Sequence, residues 1–128
     1  MIMREKRILI VDDEPDVLEL LSYNFRKNGY KVFTKSDGLS GFLAIEHIKP
    51  DIIILDIMMP LFDGVMMCNH LKKDAEYSEI PILFLSAATN KSAAAIAREA
   101  HQHYICKPVQ FNILLEKVKG ILETQVTE

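Results

Sequence analysis

Four short apolar runs in this chain each lead into a residue able to do chemistry. "RILIVD" ends in Asp12 with Asp13 beside it, "DIIILD" in Asp56, "IPILFLS" in Ser86, and "HYIC" runs into Lys107. Burial penalises a charged group, so a run greasy enough for a core has no packing reason to end in a carboxylate. Each residue alone has an ordinary structural reading. Asp13 is a good helix cap, Ser86 a good turn residue, Lys107-Pro108 a solvated turn, and Asp56 a residue where a strand surfaces. The joint pattern is harder to dismiss. In an open α/β sheet the carboxyl ends of the strands share one edge, and ligand sites form there. Three carboxylates, one hydroxyl and one ammonium would then meet. Two like charges about 4 Å apart repel by roughly 4 kcal/mol at an effective dielectric near 20. Clustered acids therefore need a shared cation or a retained proton. Carboxylate oxygens and water suit a hard divalent ion. Mg²⁺ is the expected one, with Mn²⁺ as the alternative, because Mg²⁺ takes few protein ligands and keeps several waters.

The elements that must position these groups alternate between two periods. Arg7 to Asp12 is continuously apolar and reads as a buried strand. "EPDVLELLSYNFRKNG" then carries Val17, Leu18, Leu21 and Phe25 at helical spacing. Asp13 can cap this helix, Pro15 suits its first turn and Gly29 its exit. "YKVFTK" alternates as a second strand, and "DGLSGFLAIEHIK" is a helix stopped before Pro50. "DIIILD" is a third strand and "DGVMMCNHLKK" a third helix capped by Asp63. Ile80 to Ser86 form a fourth strand, "NKSAAAIAREA" a fourth helix and "HYIC" a fifth strand. "FNILLEKVKGIL" puts Phe111, Leu114, Leu115, Val118 and Leu122 on one face of a fifth helix. Five strand-helix units with strands buried on both faces imply a parallel sheet with right-handed crossovers.

A chain of 128 residues fits one domain with a real core, and 49% apolar with 26% charged residues is ordinary for a globular protein. The net charge of −3 gives no electrostatic footprint for nucleic acid. No run approaches the roughly 18 apolar residues of a membrane span, and the apolar start is too short for a signal peptide. Cys68 and Cys106 have no metal spacing and read as reduced cytosolic thiols, used in packing.

The chain resembles the receiver domain of two-component response regulators. The resemblance rests on "VDDE" after the first strand, "LDIMMPLFDG" after the third, "LSA" after the fourth and "YICKP" after the fifth, in matching order from about Arg7 to Leu122. It implies one receiver domain over residues 1–128 with a flavodoxin-like, doubly wound five-stranded sheet of order 2-1-3-4-5 and five helices. It implies that Asp56 accepts a phosphoryl group from a sensor histidine kinase or phosphotransfer protein. Asp12 or Asp13 and Asp56, with the Met58 backbone carbonyl, would hold Mg²⁺. Lys107 would contact the phosphoryl oxygens, and Ser86 would bond to the group once formed. Tyr104 takes the position of the aromatic switch, and Lys107–Pro108 that of a cis peptide. The output would be a change in the face made by the fourth helix, fifth strand and fifth helix, about Asn90 to Leu122. That face would control an output domain or protein and leaves room for a phosphorylation-dependent dimer. Such a module is cytoplasmic, binds neither nucleic acid nor membrane itself, and is a switch that catalyses its own phosphorylation and dephosphorylation.

Several positions depart from the family pattern. Ala100-His101 stands where Gly-Ala is common, Val109 where Phe is, and Leu61 where Gly is. Ala93, Ala94, Ala95 and Ala97 occupy a fourth helix that is often charged, which argues against the charged dimer contacts of DNA-binding regulators. Met58 and Ala88 cannot guide an attacking water, so slow self-dephosphorylation is expected. His101 and His103 read as a solvated turn rather than a metal site, and His47 and His70 as helix-surface residues. Met58, Met59, Met66 and Met67 read as packing of the third helix. The competing reading is a Mg²⁺-dependent phosphatase that forms an aspartyl phosphate on a similar sheet. Those hydrolases carry Asp-x-Asp followed by Thr or Val after the first strand, which "DDEPD" does not supply. A flavin-binding domain needs a Ser/Thr/Gly-rich phosphate loop there, and "DDEPD" would repel phosphate.

Overall fold

The structure is a computed structural model that describes residues 4–87, 95, 97, 98 and 102–126. Its strands are β1 (Arg7–Val11), β2 (Lys31–Lys35), β3 (Ile52–Asp56), β4 (Ile82–Ala87) and β5 (His103–Lys107). Its helices, among the described residues, are α1 (Pro15–Lys27), α2 (Gly38–Ile48), α3 (Gly64–Lys72) and the C-terminal α4 (Phe111–Val126). The strands form one sheet, parallel throughout as the hydrophobic periods imply, in the order β2-β1-β3-β4-β5 that the resemblance implies. The expected helix over "NKSAAAIAREA" falls largely outside the described residues; of its positions, Ala95, Ala97 and Arg98 are described and are helical.

Side chains alternate across a strand, so each apolar run feeds two cores. Leu9, Val11, Ile53 and Leu55 pack with Ile45, Met67, Cys68 and Leu71 on one face, against α2 and α3. Ile8, Ile10, Ile52 and Ile54 pack with Leu21, Phe25, Leu114 and Val118 on the other, against α1 and α4. Both faces of β1 and β3 are covered, which explains why these strands are continuously apolar rather than alternating. The expected face of α4 is the buried one, and Phe111 meets Phe25 edge-on at 4.8 Å.

Caps set the helix starts. Asp37 accepts from Ser40 N at 2.8 Å and Asp63 from Met66 N at 2.9 Å. The expected cap at Asp13 does not form. Glu14 occupies the cap position of α1 without a side-chain bond, and Pro15 starts the helix. Asp12 Oδ1 instead accepts from Glu14 N at 2.8 Å, so the turn into α1 is held from the strand end. Gly29 closes α1 at a φ of 93°, which its missing side chain makes cheap.

The loop after β3 turns sharply. Phe62 N donates to Pro60 O at 2.8 Å across Leu61, whose φ is 67°. That three-residue turn is the strained hand of its class. Leu61 is 97% exposed, so packing does not repay the strain. Phe62 then turns inward, forming a ring cluster with Phe42 of α2 and His70 of α3. Replacing Leu61 by Gly is expected to raise stability by roughly 0.5–1 kcal/mol, relief of the left-handed strain exceeding the entropy gained by the unfolded chain. A urea midpoint that moves up at unchanged slope is the expected result; a lower midpoint would show that the turn is not strained.

Candidate functional site

The register of the sheet brings the chemically able residues to one edge. Asp56 pairs with Leu85, Ser86 with Cys106, and Ala87 with Lys107. Carboxylate oxygens of Asp12, Asp13 and Asp56 all lie within 4.8 Å of one another. Asp12 and Asp56 are buried while Asp13 is exposed at the mouth. Among the described residues, one ammonium faces them. Lys107 Nζ lies 3.0 Å from Asp12 Oδ2, 3.4 Å from Asp56 Oδ2 and 2.6 Å from Glu14 Oε1. The Lys107–Pro108 peptide is cis, as expected.

The electrostatics follow from burial. Desolvation, and then the neighbouring Asp12 charge, push Asp56 up to about 6, against the pull of Lys107 and of the Met58 N–H, which reaches Asp56 Oδ1 at 3.2 Å. Desolvation lowers Lys107, but its contacts with Glu14 and Asp12 and the charge of Asp56 outweigh that and raise it. The cluster is short of positive charge even with Lys107 present. Asp12 Oδ2 makes this visible. It is buried and accepts no hydrogen bond among the described residues. The Lys107 ammonium is near enough for an ion pair but out of line for such a bond. An orphaned carboxylate oxygen beside two further carboxylates is an all-oxygen donor set that fits Mg²⁺.

Ser86 is fully buried at the end of β4, one residue beyond the partner of Asp56. Its hydroxyl makes a long 3.4 Å contact to Ala87 O, which leaves it weakly committed. Tyr104 is 37% exposed on β5. Met58 is exposed beside Asp56, while Ala88 and His101 lie outside the described residues. The packing reading of the methionines holds for Met59 and Met67, which are buried, but not for Met58 and Met66, which are exposed. Likewise Cys68 is buried and Cys106 exposed. His47 and His70 are exposed on their helices.

Two features were missed in the sequence. Glu14 belongs to the "VDDE" run, yet its ion pair with Lys107 spans 93 positions and leaves no local signal. The second feature is the close backbone approach at Gly64 and Gly38. A Cβ on Gly64 would strike the Asp56 carbonyl, and one on Gly38 the Phe62 carbonyl. The loop after Asp56 is thus pinned between the first turns of α2 and α3. An apolar recess of about 480 Å³ flanks Lys107, walled by Val17, Leu20, Leu21, Pro108 and Val109. A cavity of about 490 Å³ around Lys72 and His103 lies at the opposite end of β4 and β5, away from the acids.

Comparison with known proteins bears on this arrangement. A family model described as the response regulator receiver domain matches residues 8–119. The alkaline phosphatase synthesis transcriptional regulatory protein PhoP of Bacillus subtilis is 37% identical over 118 residues, covering 91% of this chain and 48% of that protein. The chain thus spans about half the length of the curated relatives it matches. A receiver domain protein from Methanospirillum hungatei superposes with a TM-score of 0.87 at 27% identity, covering 95% of this chain and 97% of the other. A Vibrio cholerae chemotaxis protein shares the fold, with a TM-score of 0.83 at 24% identity over 91% of this chain and 98% of that one.

The raised Asp56 gives a signed pH dependence. A proton on Asp56 is held more tightly by the folded than by the unfolded chain. That contribution is complete below the ordinary carboxylate value of 3.8 and is lost as pH rises through about 6. Without divalent ions, Asp56→Asn is expected to gain roughly 1–3 kcal/mol over wild type at about pH 8 and much less at about pH 4.5. Thermal melts across that range check it, and a difference independent of pH would refute the charge-crowding account.

Proposed function

The chain belongs to the response regulator receiver domain family, and from that premise we propose that Asp56 takes up a phosphoryl group and that this one receiver domain, residues 1–128, acts as a phosphorylation-driven switch. The observation that carries the reading is the Lys107 ammonium facing the buried Asp56 and Asp12 at 3.4 and 3.0 Å, at the carboxyl end of the sheet. An Asp56 oxygen attacks phosphorus, the new O–P bond forms, and the P–N bond of a donor phosphohistidine breaks, its imidazole leaving with a solvent proton. Phosphoryl transfer asks a protein for in-line positioning and charge stabilisation more than for covalent help. Rigid, doubly covered β3 aims Asp56, and Lys107 supplies positive charge to the transferred oxygens. Asp12, Asp13, Asp56 and the Met58 backbone carbonyl would hold Mg²⁺, with Mn²⁺ as a substitute. When bound, the ion supplies the charge that the orphaned Asp12 oxygen lacks and neutralises phosphoryl oxygens.

Phosphorylation adds roughly −1.5 to −2 charge and three acceptor oxygens. The weakly committed Ser86 hydroxyl is the group best placed to answer them, which would draw the start of the loop after β4 inward. Tyr104, half open on the neighbouring strand, would then turn into the vacated space. A face that includes β5 and α4 would thus have two states, read by an output domain or protein. The donor in this reading is a histidine kinase or phosphotransfer protein. The PhoP relative is by its name a transcriptional regulator, which supports an output of that kind. Among the described residues no helix is long and apolar enough to cross a membrane, which is compatible with action in the cytoplasm.

Incubation with a small phosphodonor and Mg²⁺ is expected to add one phosphoryl group by intact mass, at Asp56. Asp56→Asn, or chelation of the metal, should abolish the adduct. Continuous phosphate release without a stoichiometric adduct would point to a phosphatase. With exposed Met58 beside the acyl phosphate, self-hydrolysis should be slow. Met58→Asn is expected to speed decay on the order of threefold to tenfold by orienting water; an unchanged half-life of the adduct would exclude that role.

A further inference from the structure

Among the three acids around Lys107, the one closest to it is not one of the proposed metal ligands. Glu14 Oε1 sits 2.6 Å from the ammonium, against 3.0 Å for Asp12 and 3.4 Å for Asp56. The two buried acids are fixed inside the site, whereas the Glu14 side chain is 59% exposed at its rim. Its backbone is nonetheless anchored. Glu14 N donates to Asp12 Oδ1 at 2.8 Å, and Glu14 O accepts from Val17 N and Leu18 N at 3.1 and 3.2 Å as the cap of α1. The carboxylate therefore hangs from a rigid point and spans the gap from α1 to β5.

We propose that Glu14 is a positioning residue that draws Lys107 toward the rim and makes the site select against strongly anionic free phosphodonors. The inference rests on the phosphoacceptor reading of Asp56. A donor entering the mouth meets the exposed Glu14 charge before it meets the ammonium, and Lys107 must leave Glu14 to follow the phosphoryl group inward. Both effects fall hardest on a dianionic donor. Acetyl phosphate carries two negative charges near neutral pH, and zwitterionic phosphoramidate a net of one. The reaction is the same in both cases: an Asp56 oxygen bonds to phosphorus while either the P–O bond to acetate breaks and acetate departs, or the P–N bond of the already N-protonated phosphoramidate breaks and neutral ammonia departs.

The test compares Glu14→Gln with wild type in the presence of Mg²⁺, using both donors. Glu14→Gln should speed labelling by acetyl phosphate about three- to tenfold and labelling by phosphoramidate distinctly less. The extra gain with acetyl phosphate should shrink at about 0.5 M salt. Glu14→Asp, which keeps a carboxylate at the rim, should restore most of the selectivity. Glu46→Gln, an equal loss of charge on the exposed surface of α2, should leave the donor ratio unchanged. A second readout needs neither metal nor phosphate. Acetylation of Lys107 by a neutral N-hydroxysuccinimide ester, followed by peptide mass, should be faster in Glu14→Gln. Normal labelling with an unchanged donor ratio overturns the role of Glu14 and leaves the phosphoacceptor reading standing. No labelling of either protein by either donor, with faster Lys107 acetylation in the variant, overturns donor selection together with that reading.

Discussion

The architecture turns on a charge imbalance at the end of a greasy sheet. Asp12 and Asp56 are buried at the tips of β1 and β3, and Asp13 stands within reach of both. Among the described residues one ammonium, that of Lys107, serves the two buried acids, and Glu14 also claims it. Like charges at such distances cost several kcal/mol in a partly desolvated setting. The folded chain therefore holds the cluster under tension, with Asp56 pushed up and one Asp12 oxygen without a bond. A core that merely needed to be stable would place apolar groups there. The imbalance is a standing demand for positive charge, which a divalent cation would meet.

The sheet makes that tension sustainable. β1 and β3 are paired on both sides and covered on both faces, so the carboxylates hang from the least yielding part of the molecule. Their backbones cannot swing apart to relieve repulsion without dismantling two cores. The loop after Asp56 is confined too, because Gly64 and Gly38 let neighbouring backbone approach where any side chain would collide. Interiors this dense transmit rather than absorb local strain. That is the setting in which a change of charge on one side chain can be felt at a distance.

Much of this was readable from the residues. The two hydrophobic periods gave the order of strands and helices, and the acids at strand ends pointed to the edge where the site lies. The cap at Asp63 and the buried face of α4 were also legible, because each depends on residues a few positions apart. What escaped depends on contacts remote in sequence. Asp13 looks like a cap, but the Asp12 side chain already ties the turn into α1, and Glu14 takes the cap position. The Glu14 pair with Lys107 joins two ends of the chain that only the sheet brings together. At Leu61 the residues show only that a glycine common at that place is missing. Its left-handed backbone cannot be read from a leucine.

The two sides of the site differ in how firmly they are built. Asp56 ends the central strand, buried at every position, whereas Lys107 ends an edge strand that is half open to water. Opening of β5 alone would withdraw the ammonium while the carboxylates stayed where they are. Amide protection should accordingly be deepest along β3 and shallow along β5. Brief fraying of that edge would then give the cluster a cation-free form, populated thermally and without any ligand.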